Sequence, residues 1–495
     1  MSVWDAALEF ADQTKKLRIQ KHYLLFIIVL AFAGRGALLV VAWRNDAAAL
    51  ASDSPTYLAP ALSLATEGSF KTDQRPEIFR TPGYSAFLVA CGLTGPLGYG
   101  SAQIVQVLID VLLIYLTFVL GARMVSQTAG LWAAGFQACS LVAMLSSVKM
   151  LSDGLFAFLI TVAIVLLIQH LEEGKSQSLI IAAAVTAAAA YVRPVGFIFV
   201  PIVVLVLLVR QRGIARPATF VIVFAGLVAP WYARNYLVAG YAGFSSVSDY
   251  NLLFYEAAGV WAKSHGLSTQ EARQELDTTY RKRLEVEKIE PKSPRAIRVE
   301  RQMGQGIILS YPGTFLRVHS TTSLNSLLPA GTGLLETMGI TSGNRGTLGV
   351  LQTSGLRAAV KYYFGSNITA VLLIIPELVF LLIQYLACLA FAFSQLGSRG
   401  LNWGPVGWLI VLTMLAFVLV GGPAAVPRFR LPIEPLLNLA AGAGVAILFE
   451  HRKLTFNQSC KKPPPSLVSP HALSTSRRSG RRPLGTSEEQ RSSSV

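Results

Sequence analysis

Two aspartates and five arginines carry most of the chemistry available to this sequence, and all seven fall in short motifs beside long apolar runs. Asp53 stands in Asp53-Ser-Pro-Thr-Tyr57, shortly after the first apolar run, where a carboxylate could take the proton of a hydroxyl as general base. The same Asp-Ser-Pro triplet is an ordinary helix N-cap with proline in the first turn, and taken alone that reading is the stronger. Asp153 opens another run in Ser152-Asp153, where it too reads either as a cap or as a group that orients or deprotonates an acceptor. Arg80 lies in Phe79-Arg80-Thr-Pro-Gly-Tyr84, Arg193 in Tyr191-Val-Arg193-Pro194, and Arg234 in Pro230-Trp-Tyr-Ala-Arg234-Asn235. Arg428 and Arg430 belong to Arg428-Phe-Arg430-Leu-Pro432. Any one arginine reads as a snorkelling residue anchoring its helix end. Converging on one point, such guanidinium groups suit a phosphate, which each can grip with two hydrogen bonds. Tyr57, Tyr84, Tyr191 and Asn235, inside the same motifs, are the candidate walls of a substrate cavity.

The elements that must position these groups are membrane helices. A chain of 495 residues that is 53% hydrophobic and 14% charged has more apolar surface than one water-soluble core can hide. Apolar runs near the length that crosses about 30 Å of hydrocarbon recur along it. They lack the alternation of barrel strands, and a backbone in lipid must satisfy its own hydrogen bonds, so each reads as a helix. Spans are predicted at 22–43, 102–121, 129–147, 155–170, 178–191, 195–209, 217–233, 367–393, 402–420 and 432–449. The expected fold is an all-α polytopic membrane protein with about ten transmembrane helices and two long exterior segments, 44–101 and 234–366. The apolar stretch from Tyr84 to Tyr99 is broken by Gly92, Gly95, Pro96 and Gly98 and reads as interfacial or re-entrant. The first run is too long for the core of a secretory signal and is expected to remain.

Lysine and arginine set the orientation. With residues 1–21 in the cytoplasm, Lys15, Lys16, Arg18, Lys21, Arg123, Lys175, Arg210, Arg212, Arg216 and Arg399 fall inside. Seven spans within 22–233 and three within 367–449 then return residues 450–495 to the cytoplasm, as a Ser-, Pro- and Arg-rich tail expected to be disordered. All seven candidate charges arrive on the opposite face. The net charge of +16 points to membrane lipids and not to nucleic acid, because no aromatic-basic platform accompanies it. Cys91, Cys139, Cys388 and Cys460 show no repeated spacing, so neither a disulfide framework nor a metal site follows, although carboxylates could recruit a divalent cation. No cofactor is expected.

In their order, these motifs resemble membrane glycosyltransferases of the C-type fold, in the bacterial branch with protein mannosyltransferases and lipid A aminoarabinose transferases. The resemblance covers residues 22–450 and rests on the order of short motifs. It departs where some relatives carry an adjacent Asp-Glu pair, since here Asp53 is followed by Ser54. It implies inverting transfer of a sugar from a polyprenyl-phosphate carrier to an envelope glycan, lipid or protein acceptor, with the active site exterior to a bacterial inner membrane. Asp53 would then be the base, Asp153 its partner, and Arg80, Arg193, Arg234, Arg428 and Arg430 the binders of donor phosphate.

The alternative is a transporter or lipid flippase without sugar transfer, which would draw on charges inside the spans. Arg35, Asp110 and Glu377 are such charges, with Asp110 most simply read as a neutral interhelical hydrogen-bonding group and Pro376 as a kink. Within 234–366 a small helical subdomain is expected, opened by the capping-box spacing Ser268-Thr-Gln-Glu271.

Overall fold

The computed structural model describes residues 21–211, 213–331, 368–397 and 404–450, together with a few positions between 334 and 362. The tail expected to be disordered, Cys460, all but the last residue of the N-terminal segment and part of the second long segment lie outside the described residues. Among the described residues the fold is almost wholly helical, and the one sheet is a hairpin of the two-residue strands β1 (Lys71–Thr72) and β2 (Arg75–Pro76).

The chain rises through α1 (Lys21–Arg44), turns at Asp53 into α2 (Ser54–Glu67), passes the hairpin and enters the short α3 (Pro82–Ala90). It then descends α4 (Gly100–Met124) and returns through α5 (Gln127–Cys139) and α6 (Leu141–Val148). Next come α7 (Asp153–Glu173), α8 (Ser176–Val192), α9 (Phe199–Gln211) and α10 (Ala215–Ala239). A helical excursion follows through α11 (Val247–Asn251), α12 (Ala258–His265), α13 (Thr269–Val286), α14 (Pro294–Ser310) and α15 (Pro312–Ser323). The chain re-enters the bundle as α16 (Ile368–Gly397), α17 (Gly404–Leu419) and α18 (Glu434–Glu450).

Among the described residues six helices are long and apolar enough to cross a membrane, or seven if the pair α5 and α6, bent by 53°, counts as one span. The break falls at Ser140, whose extended backbone interrupts the helix and whose hydroxyl donates to Glu434 at 2.7 Å. Three shorter apolar helices, Ser176–Val192, Pro194–Arg210 and Gly404–Leu419, complete the set, so each expected span falls on one of these segments. The chain is a multi-pass membrane protein. The stretch expected to be interfacial is α3 followed by turns to Tyr99, and Tyr84, Leu88 and Leu93 in it are buried in the main core.

Small residues bring the helices together, because in lipid close backbone packing replaces hydrophobic expulsion as the source of association. A Cβ on Gly130 of α5 would lie 2.6 Å from the Phe118 carbonyl of α4, and one on Gly442 of α18 would lie 2.7 Å from the Ala133 amide. Likewise a Cβ on Gly83 would meet the Tyr191 backbone at 2.5 Å, which seats α3 directly on the end of α8.

Charges inside the bundle are paired. Arg35 of α1 donates its Nε to Asp110 of α4, and its Nη1 reaches the Ala138 carbonyl at 3.0 Å. Asp110 therefore has a cationic partner, which corrects the neutral-aspartate reading. The reason is local: the end of α5 supplies the Ala138 and Gln137 carbonyls, which share the guanidinium with the Asp110 carboxylate. Glu377 accepts from the Ala330 amide at 2.6 Å, and Pro376 lies within the single helix α16.

Candidate functional site

Asp53 is not a cap. Its backbone is already helical (φ −84°, ψ −20°) and its side chain makes no hydrogen bond to the helix it precedes. The carboxylate turns instead to two arginines: Oδ1 lies 3.3 Å from Arg80 Nη2, and Oδ2 accepts from Arg428 Nη2. The turn is fixed by Ser54, whose hydroxyl donates to the Met150 carbonyl at 2.8 Å and tethers α2 to the chain just before α7. About a third of the Asp53 side chain is exposed. Burial acts to raise its proton affinity, but the charges of Arg428, Arg80 and Arg193 outweigh that and hold the carboxyl below its usual value.

Arg80 is presented by the loop between the hairpin and α3. Its Nε donates to Thr56 Oγ1 at 2.9 Å and its Nη1 to the Tyr57 hydroxyl at 3.2 Å, with the guanidinium over the Tyr57 ring at 4.5 Å. Glu77 shapes that loop by accepting from the amides of Phe79 (2.5 Å) and Arg80 (2.9 Å) and from the Thr72 hydroxyl (2.5 Å). The Tyr57 hydroxyl also lies 2.9 Å from Ser152 Oγ, which joins α2 to the start of α7. Tyr84, fully buried beneath, meets the Tyr57 ring edge-on at 5.1 Å and donates to Gln106 at 2.5 Å.

The second acid completes the group. Asp153, the first residue of α7, accepts from Arg193 Nη1 through Oδ1, while its buried Oδ2 has no partner among the described residues. Arg193 and Arg428 flank the Phe429 ring at 5.3 and 5.7 Å. The structure thus gathers Asp53, Asp153, Arg80, Arg193, Arg428 and Tyr57 at one end of the bundle, from five separate stretches of sequence. Three guanidinium groups face two carboxylates, which leaves one positive charge in excess.

Five expected site residues are employed elsewhere: Tyr84, fully buried with its hydroxyl on Gln106, lies behind Tyr57 and does not line an open cavity, and four more have other partners. Arg234 donates to the backbone carbonyls of Glu77 (2.6 Å) and Phe70 (2.9 Å), so it braces the hairpin loop and is a support, not a phosphate contact. Arg430 is 1% exposed and is consumed by Glu434 at 3.0 Å and the Leu328 carbonyl at 2.6 Å. Asn235 is buried and donates to the carbonyls of Gly243 (2.8 Å) and Phe244 (3.1 Å). Tyr191 donates to the Leu227 carbonyl at 2.9 Å and packs on Trp231 and Phe244. For these four residues a backbone carbonyl distant in sequence or outside the motif claims the side chain, a pairing that no motif records. Conversely Glu77, Thr56 and Phe429 were not singled out from sequence. The signal for Glu77 was its position three residues before Arg80, the reach of a carboxylate that caps a turn. Among the described residues no three His, Cys, Asp or Glu side chains converge on a point that could hold a metal ion.

Residues 93–232 match the model of the dolichyl-phosphate-mannose-protein mannosyltransferase family. This agrees with the C-type glycosyltransferase resemblance drawn from the motifs, and Asp153 and Arg193 lie inside the matched stretch. Among curated proteins none matches the chain. Among solved structures the chain is similar to the archaeal oligosaccharyltransferase AglB from Archaeoglobus fulgidus, in complex with an inhibitory peptide and a dolichol-phosphate. The identity is 14% and the TM-score 0.45, with 87% of this chain and 51% of that one covered. It is also similar to ArnT from Cupriavidus metallidurans bound to undecaprenyl phosphate, at 11% identity and a TM-score of 0.38, covering 86% of this chain and 78% of that one. The chain spans about half the length of the archaeal oligosaccharyltransferase.

Proposed function

We propose that the chain is an inverting glycosyltransferase that moves a sugar from a polyprenyl-phosphate carrier to an acceptor on the non-cytoplasmic face of the inner membrane. The observation that carries this reading is Asp53, a partly exposed carboxylate free of helix capping and held between Arg80 and Arg428, with Arg193 and Asp153 adjoining. A lipid-monophosphate donor accords with the family model over 93–232, whose description names such a donor.

In the proposed step an acceptor hydroxyl oxygen attacks the anomeric carbon from the face opposite the leaving group. The bond from that carbon to the phosphate oxygen breaks, its electron pair departs with the lipid phosphate, and the hydroxyl proton passes to Asp53. A phosphate needs little acid assistance to leave, so the demand falls on fixed positive charge, which Arg428, Arg80 and Arg193 supply by preorganisation. Without donor, the two carboxylates balance two of those three positive charges. An arriving phosphate competes for them and relieves Asp53 of part of the positive field, which makes it a stronger base when the acceptor must be deprotonated. Asp153 keeps Arg193 in place. The acceptor is an envelope glycan, lipid or protein.

The test is transfer by purified protein given labelled polyprenyl-phosphate sugar and a membrane extract. Asp53→Asn should lower kcat about a hundredfold or more while donor binding persists. Undiminished transfer would remove Asp53 as the base, and movement of intact labelled lipid without a new glycosidic bond would favour the flippase.

A further inference from the structure

The turn that leads into Arg428 is clamped by a histidine with an acceptor at each ring nitrogen. His319 on α15 has Nδ1 2.9 Å from Glu256 Oε2 and Nε2 2.8 Å from the Leu419 carbonyl oxygen at the end of α17. A carbonyl only accepts, so Nε2 donates; an ionised carboxylate also only accepts, so Nδ1 donates as well. A ring that donates from both nitrogens is an imidazolium. The hydrogen bond to Glu256 holds the His319 proton above its ordinary value against the opposing effect of burial.

Other contacts converge on the same turn. Ser323, one turn beyond His319, accepts from the Gly422 amide at 3.1 Å and lies 2.8 Å from the Leu419 carbonyl. Gly422 has a left-handed backbone (φ +46°), and a Cβ there would overlap Glu256 Oε1 and His319 Nδ1, so the turn fits only without a side chain. Pro423 packs where a Cβ on Gly259 of α12 would be, at 3.1 Å. Glu256 itself stands on Leu252–Ala257, which is wound as a π-helix, a widening often found at functional positions. Of the elements around the ring, the π-helix brings Glu256, α17 brings the Leu419 carbonyl and α15 brings the Phe315 ring at 5.2 Å. The turn Gly422–Ala424 brings no ionisable side chain, and Glu256 is the charge acting on the imidazole. Beyond the turn the chain enters Pro427–Ile433, which carries Arg428.

We propose that His319 and Glu256 are positioning residues: the doubly bonded imidazolium fixes the turn 419–425 and thereby sets Arg428 against Asp53. The consequence for catalysis rests on the phosphate role given to Arg428 above; the clamp itself does not. Because the folded protein holds the His319 proton more tightly than the ordinary value of 6.5, the clamp is complete below that pH and is lost as pH rises through the raised value.

Hydrogen exchange of the full-length protein in lipid nanodiscs, normalised to intrinsic rates at each pH, reads the clamp without turnover. In the wild type, protection of the peptide spanning 419–428 should fall about tenfold between pH 6 and pH 9. Glu256→Gln, which keeps shape and volume, should move that loss to lower pH, and His319→Phe should show low protection throughout. Equal protection in wild type and both variants at pH 6 overturns the proposal. In the transfer assay Glu256→Gln should raise donor KM about tenfold with kcat within about twofold. An unchanged KM overturns the link to Arg428. If no form of the protein transfers sugar, the enzymatic reading falls, and the exchange data still decide the clamp.

Discussion

Arg428 and Arg430 belong to one motif, yet their side chains do different work. Pro427–Ile433 is wound as a 3-10 helix, with about three residues per turn, so residues two apart point to different sides. Arg428 thus reaches Asp53 while Arg430 is buried against Glu434. Lysine keeps the charge of either arginine and loses the planar fork. Arg428→Lys should raise donor KM about tenfold with little change in melting temperature, because the phosphate loses one of its two parallel bonds. Arg430→Lys should mainly lower the melting temperature, because buried acceptors at Leu328 and Glu434 lose their donors. Donor titrations and thermal unfolding of the two variants check this division, which fails if both change the same quantity. The types of these residues were legible in the sequence. Their division of labour was not, since it depends on which carbonyl or carboxylate each side chain meets.

At the scale of elements, local rules were readable where the partners are close in sequence. Ser268 and Glu271 form the expected capping box at the start of α13, because the hydroxyl, the carboxylate and both amides lie within one turn. The loop that presents Arg80 was opaque for the opposite reason. Asp73 and Gln74 adopt left-handed backbone (φ 52° and 60°) at the hairpin turn, and Arg234 near the end of α10, more than 150 residues on, braces the residues flanking the strands. A further element-scale prediction concerns α14, where Glu300 packs against Tyr280 of α13. Burial, aided by Asp249, pushes the Glu300 carboxyl up to about 7 despite the hydrogen bond from Tyr280. The folded state therefore binds this proton more tightly than the unfolded chain, and stability falls as pH rises from the ordinary carboxylate value to about 7. Glu300→Gln should raise the melting temperature of this region at pH 8.5 and leave it nearly unchanged at pH 4. Thermal scans read on a probe in α13 or α14 test it; a stabilisation that is equal at both pH values contradicts the shifted carboxyl.

On the scale of the whole molecule, the Arg35–Asp110 pair ties α1 to α4 inside the bundle, with carbonyls of α5 closing the arrangement. Removing one partner leaves an uncompensated charge in a low-dielectric interior, at a cost of about 3–5 kcal/mol, whereas removing both leaves only a packing change. Arg35→Met and Asp110→Leu should each lower the unfolding midpoint strongly, and the double variant should recover most of the loss. Equilibrium unfolding in mixed micelles measures all three; a double variant as unstable as the sum of the singles would show that the pair is not the unit.

The amino-acid sequence by itself determined that this is a multi-pass helical membrane protein and where its helices run, because apolar length and backbone self-sufficiency in lipid are properties of contiguous residues. It also determined the chemical types gathered at the helix ends. Only the tertiary structure decided which of them meet. Asp53 and Arg428 are in contact although 375 residues separate them, and Arg234 is drawn instead to carbonyls 157 and 164 residues away. Such pairings are set by the crossing of packed helices and by the need of each buried donor and acceptor for a partner. Neither leaves a trace in local spacing.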